Sequence, residues 1–137
     1  MKNASTLCFL LCGTLGSQSP QSIRPTGSFR LVGLIHDAKA LNQAHDVEVQ
    51  GGVAFVAGKG GNLALVDISK AGLPRLLASL RNPVEFEDAE TVLPLGDVLF
   101  LGSRDFFAID IRDPAHPKVL KKISQRPRVD RINGMSH

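Results

Sequence analysis

From residue 44 onward the chain alternates short apolar runs with Gly, Pro and charged residues. Val53-Ala54-Phe55-Val56-Ala57, Val98-Leu99-Phe100-Leu101 and Phe106-Phe107-Ala108-Ile109 are too short for free-standing helices. Their β-branched and aromatic content predicts strands buried on both faces. Gly51-Gly52 and Gly96-Asp97 each separate two runs by two residues, the spacing of a tight hairpin turn. Pro74, Pro94, Pro114 and Pro117 would break any helix drawn through these stretches. Eight strands follow: His45–Val49, Val53–Ala57, Leu63–Ile68, Arg75–Leu80, Thr91–Leu93, Val98–Leu101, Phe106–Ile111 and Lys118–Ile123.

These strands fall into two copies of one unit, residues 44–80 and 89–123. Ala44 matches Ala89, Val47 matches Val92, Gly51 matches Gly96 and Phe55 matches Phe100, all at a spacing of 45. Asp67 then matches Asp110, Pro74 matches Pro117 and Leu77 matches Leu120 at a spacing of 43, so two residues are deleted within Gly58–Asn62. A period in the forties with four short strands per unit is the signature of a propeller blade. The predicted fold is all-β: two four-stranded antiparallel blades with partial blades on either side, an incomplete β-propeller. Phe29–Leu34 reads as the last strand of a preceding blade, and Ile132–His137 repeats the opening of the unit at Leu41–His45.

Leu63-Ala64-Leu65-Val66-Asp67-Ile68-Ser69 resembles the signature of the LVIVD-repeat family of β-propellers, with Ala44-His45-Asp46-Val47 similar to that family's opening strand. In the second copy Phe107-Ala108-Ile109-Asp110-Ile111 keeps the Asp, whereas Glu90-Thr91 replaces His-Asp. Asp113-Pro114-Ala115-His116-Pro117 is similar to the family's Asp-Pro-x-x-Pro turn. The resemblance covers residues 29–137, implies the propeller fold, and carries over no catalytic set and no cofactor.

Two blades are fewer than a ring needs. Each face of a blade presents about six to eight apolar side chains, and leaving one bare forfeits on the order of 10 kcal/mol, against about 5–15 kcal/mol for a whole domain. The expectation is therefore a shortened member or fragment of a longer propeller protein, or self-association through two uncovered outer faces.

The N-terminus adds an address. Lys2, the apolar run Leu7–Leu15 and the small residues Thr14 and Gly16 read as an export signal over residues 1–16, with a cut after Gly16. Residues 17–28, rich in Ser, Gln, Pro and Gly, read as a flexible spacer, leaving 29–137 as the partial propeller. The expected location is extracytoplasmic. The apolar run is far below the ~20 residues of a membrane span. Cys8 and Cys12 both lie in this segment, so the mature part has no thiol chemistry.

Composition narrows the partners. All seven aromatic residues are Phe, which argues against stacking platforms for nucleic acid. The net charge of +3 gathers in Lys118, Lys121, Lys122, Arg126, Arg128 and Arg131, opposite the acidic run Glu85, Glu87, Asp88 and Glu90. Lys along an edge strand also blocks edge-to-edge pairing.

Candidate chemistry is sparse. His45, Asp46 and His137 fall where innermost strands line a propeller channel, and could ring a metal or polarise a water. Against this, the intervening copy lacks them, and a hydrogen-bonding role in the fold is the simpler reading. Asp67, Asp110, Gly51, Gly96, Pro74 and Pro117 are assigned to the repeat's turns. Gly58-Lys59-Gly60-Gly61-Asn62 lacks the phosphate-loop pattern and reads as a strand connector. The functional expectation is an exported, non-catalytic module binding an unidentified protein or polymer. The alternative is a hydrolase- or lyase-type enzyme active only as a completed ring.

Overall fold

The computed structural model describes residues 6–8, 29–124 and 132–136. His137, the signal cut site, the spacer and Arg126, Arg128 and Arg131 lie outside them. Among the described residues every regular element is a strand. The first four-stranded sheet runs in the order β3 (Ala44–Gln50), β4 (Val53–Gly58), β5 (Asn62–Asp67), β6 (Arg75–Arg81). The second repeats it as β7 (Thr91–Leu95), β8 (Val98–Gly102), β9 (Phe106–Asp110), β10 (Lys118–Ile123). All neighbours are antiparallel. The eight expected strands are therefore present, with ends shifted by at most two residues.

Turn chemistry explains the hairpins. Gly51 and Gly52 take φ of 58° and 78°, the left-handed pair that a two-residue turn of this twist requires. At the second copy Gly96 takes φ of 60°. Pro94 lies in β7, which is an edge of its sheet, so its missing N–H breaks no central ladder. The deletion between the copies is one ladder rung. Gly58 pairs with Asn62 beyond the Ala57–Leu63 pair, whereas the second hairpin ends at Gly102–Phe106.

The repeat also begins earlier than expected. Asp37 Oδ1 accepts the N–H groups of Lys39 and Ala40, and Asn82 Oδ1 accepts those of Val84 and Glu85, again 45 residues on. The backbone bonds Leu41 N–H to Asp37 O and Phe86 N–H to Asn82 O complete matching turns. Gln43 and Asp88, both with positive φ, occupy the same place in each.

The two sheets stack with β3 against β7, the arrangement of adjacent blades. Between them Phe55, Ala57, Leu63 and Leu65 of the first sheet meet Val92, Leu99, Leu101, Phe107 and Ile109 of the second. Phe86 fills the seam, its ring edge-on to Phe107 at 4.9 Å. We call the faces turned toward the N-terminal side upstream and the others downstream.

Two expectations need correction. The flanking strand is β2 (Leu34–His36), not Phe29–Leu34. It pairs with β1 (Thr6–Cys8), which lies inside the segment read as an export signal. Backbone pairing needs a partner strand, and β1 reaches only these three residues. The second correction concerns the outer faces. The upstream face of the first sheet is not bare: Ala54, Val56, Ala64 and Val66 are fully buried, and Ile35, Ala40 and Leu41 pack on this side. Leu41 stands here where Phe86 stands between the sheets. The downstream face of the second sheet does expose apolar side chains, Leu120 and Ile123 among them. Among the described residues no helix is long and apolar enough to cross a membrane.

Candidate functional site

The candidate channel residues open β3, the innermost strand of the first sheet. Ala44 pairs with Gly58 and Asp46 with Ala57, so His45 sits in a bulge as an extra, exposed residue. Asp46 is committed to the backbone. Its Oδ1 accepts the N–H of Val47 at 2.9 Å and its Oδ2 that of Val92, across the seam in β7, also at 2.9 Å.

Four residues along the same strand face, Gln50 makes a second bridge. Its Nε2 donates to Gly96 O at 2.8 Å, and Gly96 N–H donates to its Oε1 at 3.1 Å. Gly96 lies in the turn between β7 and β8, so one side-chain amide holds both polar groups of a turn glycine. Gln50 was not singled out from the sequence. The available signal was the alternation of β3, which puts the polar side chains Asp46, Glu48 and Gln50 on one face and Val47 and Val49 on the other.

The connector Gly58–Asn62 carries a third bridge, Lys59 Nζ to Glu90 at 2.9 Å, with Glu90 almost fully buried. Asn62, fully buried, donates through Nδ2 to Ala40 O at 2.7 Å and pins the upstream turn to the sheet. In the edge strand β10, on the seam side of the second sheet, Lys122 lies 3.2 Å from the buried carboxylate of Asp105 and 3.4 Å from Glu85. Its ammonium also stands 5.6 Å from the centre of the Phe107 ring. Asp105 first, and then Glu85, raise the Lys122 pKa.

The recurring aspartates end the third strand of each copy. Asp67 accepts the N–H of Ser69 at 2.9 Å and its hydroxyl at 2.6 Å, and that hydroxyl is the first cause of its lowered pKa. Asp110 accepts the N–H of Arg112 at 3.0 Å and is gripped by its guanidinium, which holds the carboxyl at about 2. Asp113 accepts the N–H of Ala115 and meets His116 Nδ1 at 2.8 Å, and the His116 bond is the main cause of its lowered pKa. Pro74 and Pro117 stand directly before β6 and β10, where fixed φ leads the chain into the outermost strand.

Asp110, Arg112, Asp113, His116 and Lys118 together line an open groove of about 530 Å³ at the outer turn of the second sheet. This groove is a surface of mixed charge. The structure does not bring it together with His45 or Asp46, which lie on the innermost strand of the other sheet.

No curated protein and no solved structure matches the chain. A family model does: residues 42–80, which hold β3 to β6 except the last residue of β6, match the LVIVD repeat. With the same sheet built again at residues 91–123, the chain carries an LVIVD repeat within a β-propeller-type repeat module.

Proposed function

We propose that this chain is an exported, non-catalytic repeat module that binds a protein or polymer partner. The observation that carries the reading is the use made of Asp46. Both of its oxygens are bound to backbone N–H groups, one of them in the neighbouring sheet, so this carboxylate joins blades. The recurring Asp67 and Asp110 likewise close turns. The exposed groove around Arg112, His116 and Lys118 offers charge of both signs for a polar partner.

Expression of the full chain with its own N-terminus tests the reading. The expected result is recovery outside the cytoplasm with residues 1–16 removed, read from the intact mass. Cross-linking through Lys118 should then trap a partner, and the yield should be unchanged by His45→Ala. Retention of an unprocessed chain in the cytoplasm would overturn export.

One observation favours the enzyme alternative: His45 is exposed at a bulge, a device that often re-aims a side chain beside an active site. On that reading His45→Ala abolishes turnover of a hydrolysable or eliminable substrate by the assembled ring while leaving the fold intact.

A further inference from the structure

Four asparagines lie among the described residues, and the fold treats one of them differently from the rest. Asn82 precedes Pro83, whose nitrogen carries no hydrogen. Its own amide is also engaged: Oδ1 accepts the N–H groups of Val84 and Glu85, and Nδ2 donates to Glu85 at 3.1 Å. Asn62 is fully buried in β5, donates to Ala40 O, and has strand partners on both sides in Gly58 and Arg81. Asn42 is half-buried in a turn closed by Ala44 N–H to Leu41 O and Lys59 N–H to Gln43 O, and a full side chain follows it at Gln43.

Asn133 stands apart. It is exposed, lies outside every strand, and precedes Gly134. A Cβ built on Gly134 would meet nothing within 4 Å, so the space around this glycine is open. In sequence Ile132-Asn133-Gly134 repeats Leu41-Asn42-Gln43, yet Gly134 does not take the positive φ that Gln43 and Asp88 adopt in their turns. The chain is pinned just before the pair, where Ile132 N–H donates to Ser103 O at 2.9 Å and the Ile132 side chain lies over Gly102.

We propose that Asn133-Gly134 is a site of spontaneous deamidation, at which the folded chain converts its own asparagine to aspartate and isoaspartate. The Gly134 nitrogen, on losing its proton to solvent, attacks Asn133 Cγ. The new N–Cγ bond closes a five-membered imide, and the Cγ–Nδ2 bond breaks as Nδ2 takes up a proton and leaves as ammonia. Solvent water then opens the ring. Attack at Cγ gives aspartate, and attack at the backbone carbonyl carbon gives isoaspartate, whose main chain runs through the side chain. Nothing is oxidised or reduced, and water is the co-reactant. Glycine favours the first step because it has no Cβ to crowd the attack and its backbone reaches the required conformation at little cost. Each event replaces a neutral amide by a carboxylate, so the formal net charge falls by one unit, from +3 to +2. This chemistry needs neither export nor a partner.

Trypsin makes the test direct. Cleavage after Lys39, Lys59, Lys70, Arg81, Arg104 and Arg131 places each of the four asparagines in its own peptide, with Asn133 in Ile132–His137. The full chain is held at mildly alkaline pH in ordinary and in heavy-oxygen water, digested, and read by chromatography and mass spectrometry. The expected result is two new forms of the Ile132–His137 peptide, each with NH2 exchanged for OH and each labelled by the heavy-oxygen water. The peptides that hold Asn42, Asn62 and Asn82 should stay unchanged. Gly134→Val should slow the conversion about tenfold or more, with circular dichroism confirming that the variant folds. Unfolding the chain in urea should leave the Asn133 rate within about twofold, since the fold does not shield this pair. No conversion at Asn133, equal conversion at Asn42 or Asn62, an unchanged rate in Gly134→Val, or a steep rise on unfolding would each overturn the proposal.

Discussion

Replacing Asp46 by Ala removes the acceptor for the half-buried Val92 N–H and for Val47 N–H. An unpaired buried donor costs about 1–3 kcal/mol. Gln50→Ala removes two bonds to Gly96 at an exposed position, where water replaces them in part, so its cost is about 1 kcal/mol or less. Against these stand the apolar groups of the seam. Burying Phe55, Leu65, Leu99, Leu101, Phe107 and Ile109 contributes roughly 9–18 kcal/mol before entropy is counted. Hydrophobic contact thus holds the sheets together, and Asp46 and Gln50 fix how they align. The double variant should remain folded, yet at about 1.4 kcal/mol per tenfold the Val92 amide should exchange with solvent about 5- to 100-fold faster and the exposed Gly96 amide up to about fivefold faster. Asp46→Asn, which keeps an acceptor, should restore most of the Val92 protection. Hydrogen exchange followed by NMR reads each amide separately. If the Val92 amide keeps its protection in Asp46→Ala while global stability falls, the bridge is not what aligns the sheets.

Two further outcomes follow from turns and charges. The Asp110 carboxyl is held at about 2 rather than 3.8 by Arg112, and Asp37, Asp67 and Asp113 are shifted in the same direction. A depressed folded-state pKa stabilises fully above the unfolded value and is lost as pH falls through the folded one. The urea midpoint should therefore drop between about pH 4 and pH 2, and Arg112→Ala should flatten that limb. Gly51 and Gly61 both have positive φ, but a Cβ on Gly51 meets open space while one on Gly61 would lie 2.5 Å from Pro83 Cα. Gly51→Ala should cost about 1–2 kcal/mol in strain alone, and Gly61→Ala clearly more; equal losses in thermal melts would refute the distinction.

The strands and their pairing were legible because they rest on local signals. Apolar runs such as Val53–Ala57 and Gly-centred turns such as Gly51-Gly52 fix a hairpin within a dozen residues. The start of the repeat was missed because Asp37 and Asn82 differ in type while doing the same work, each with one side-chain oxygen capping a turn. Leu41 and Phe86 likewise differ in size but share a place. The cover on the first sheet was hidden for another reason. Ile35, Ala40 and Leu41 lie in a stretch with no strand periodicity, and only tertiary packing shows where they settle. As for the site, Asp46 was visible as a candidate, but its bond to Val92 spans two units and depends on their relative placement. Gln50 carried no motif at all.

The additional rung formed by Gly58 and Asn62 bears on how such units can change length. Adding one residue to each arm of a hairpin makes the sheet taller and leaves every side chain below on its original side. A single inserted residue would instead turn one arm inside out, sending its apolar groups to water. Sheets of unequal height can therefore be joined in series while the surfaces that meet stay matched, and length variation at this hairpin should come in even steps.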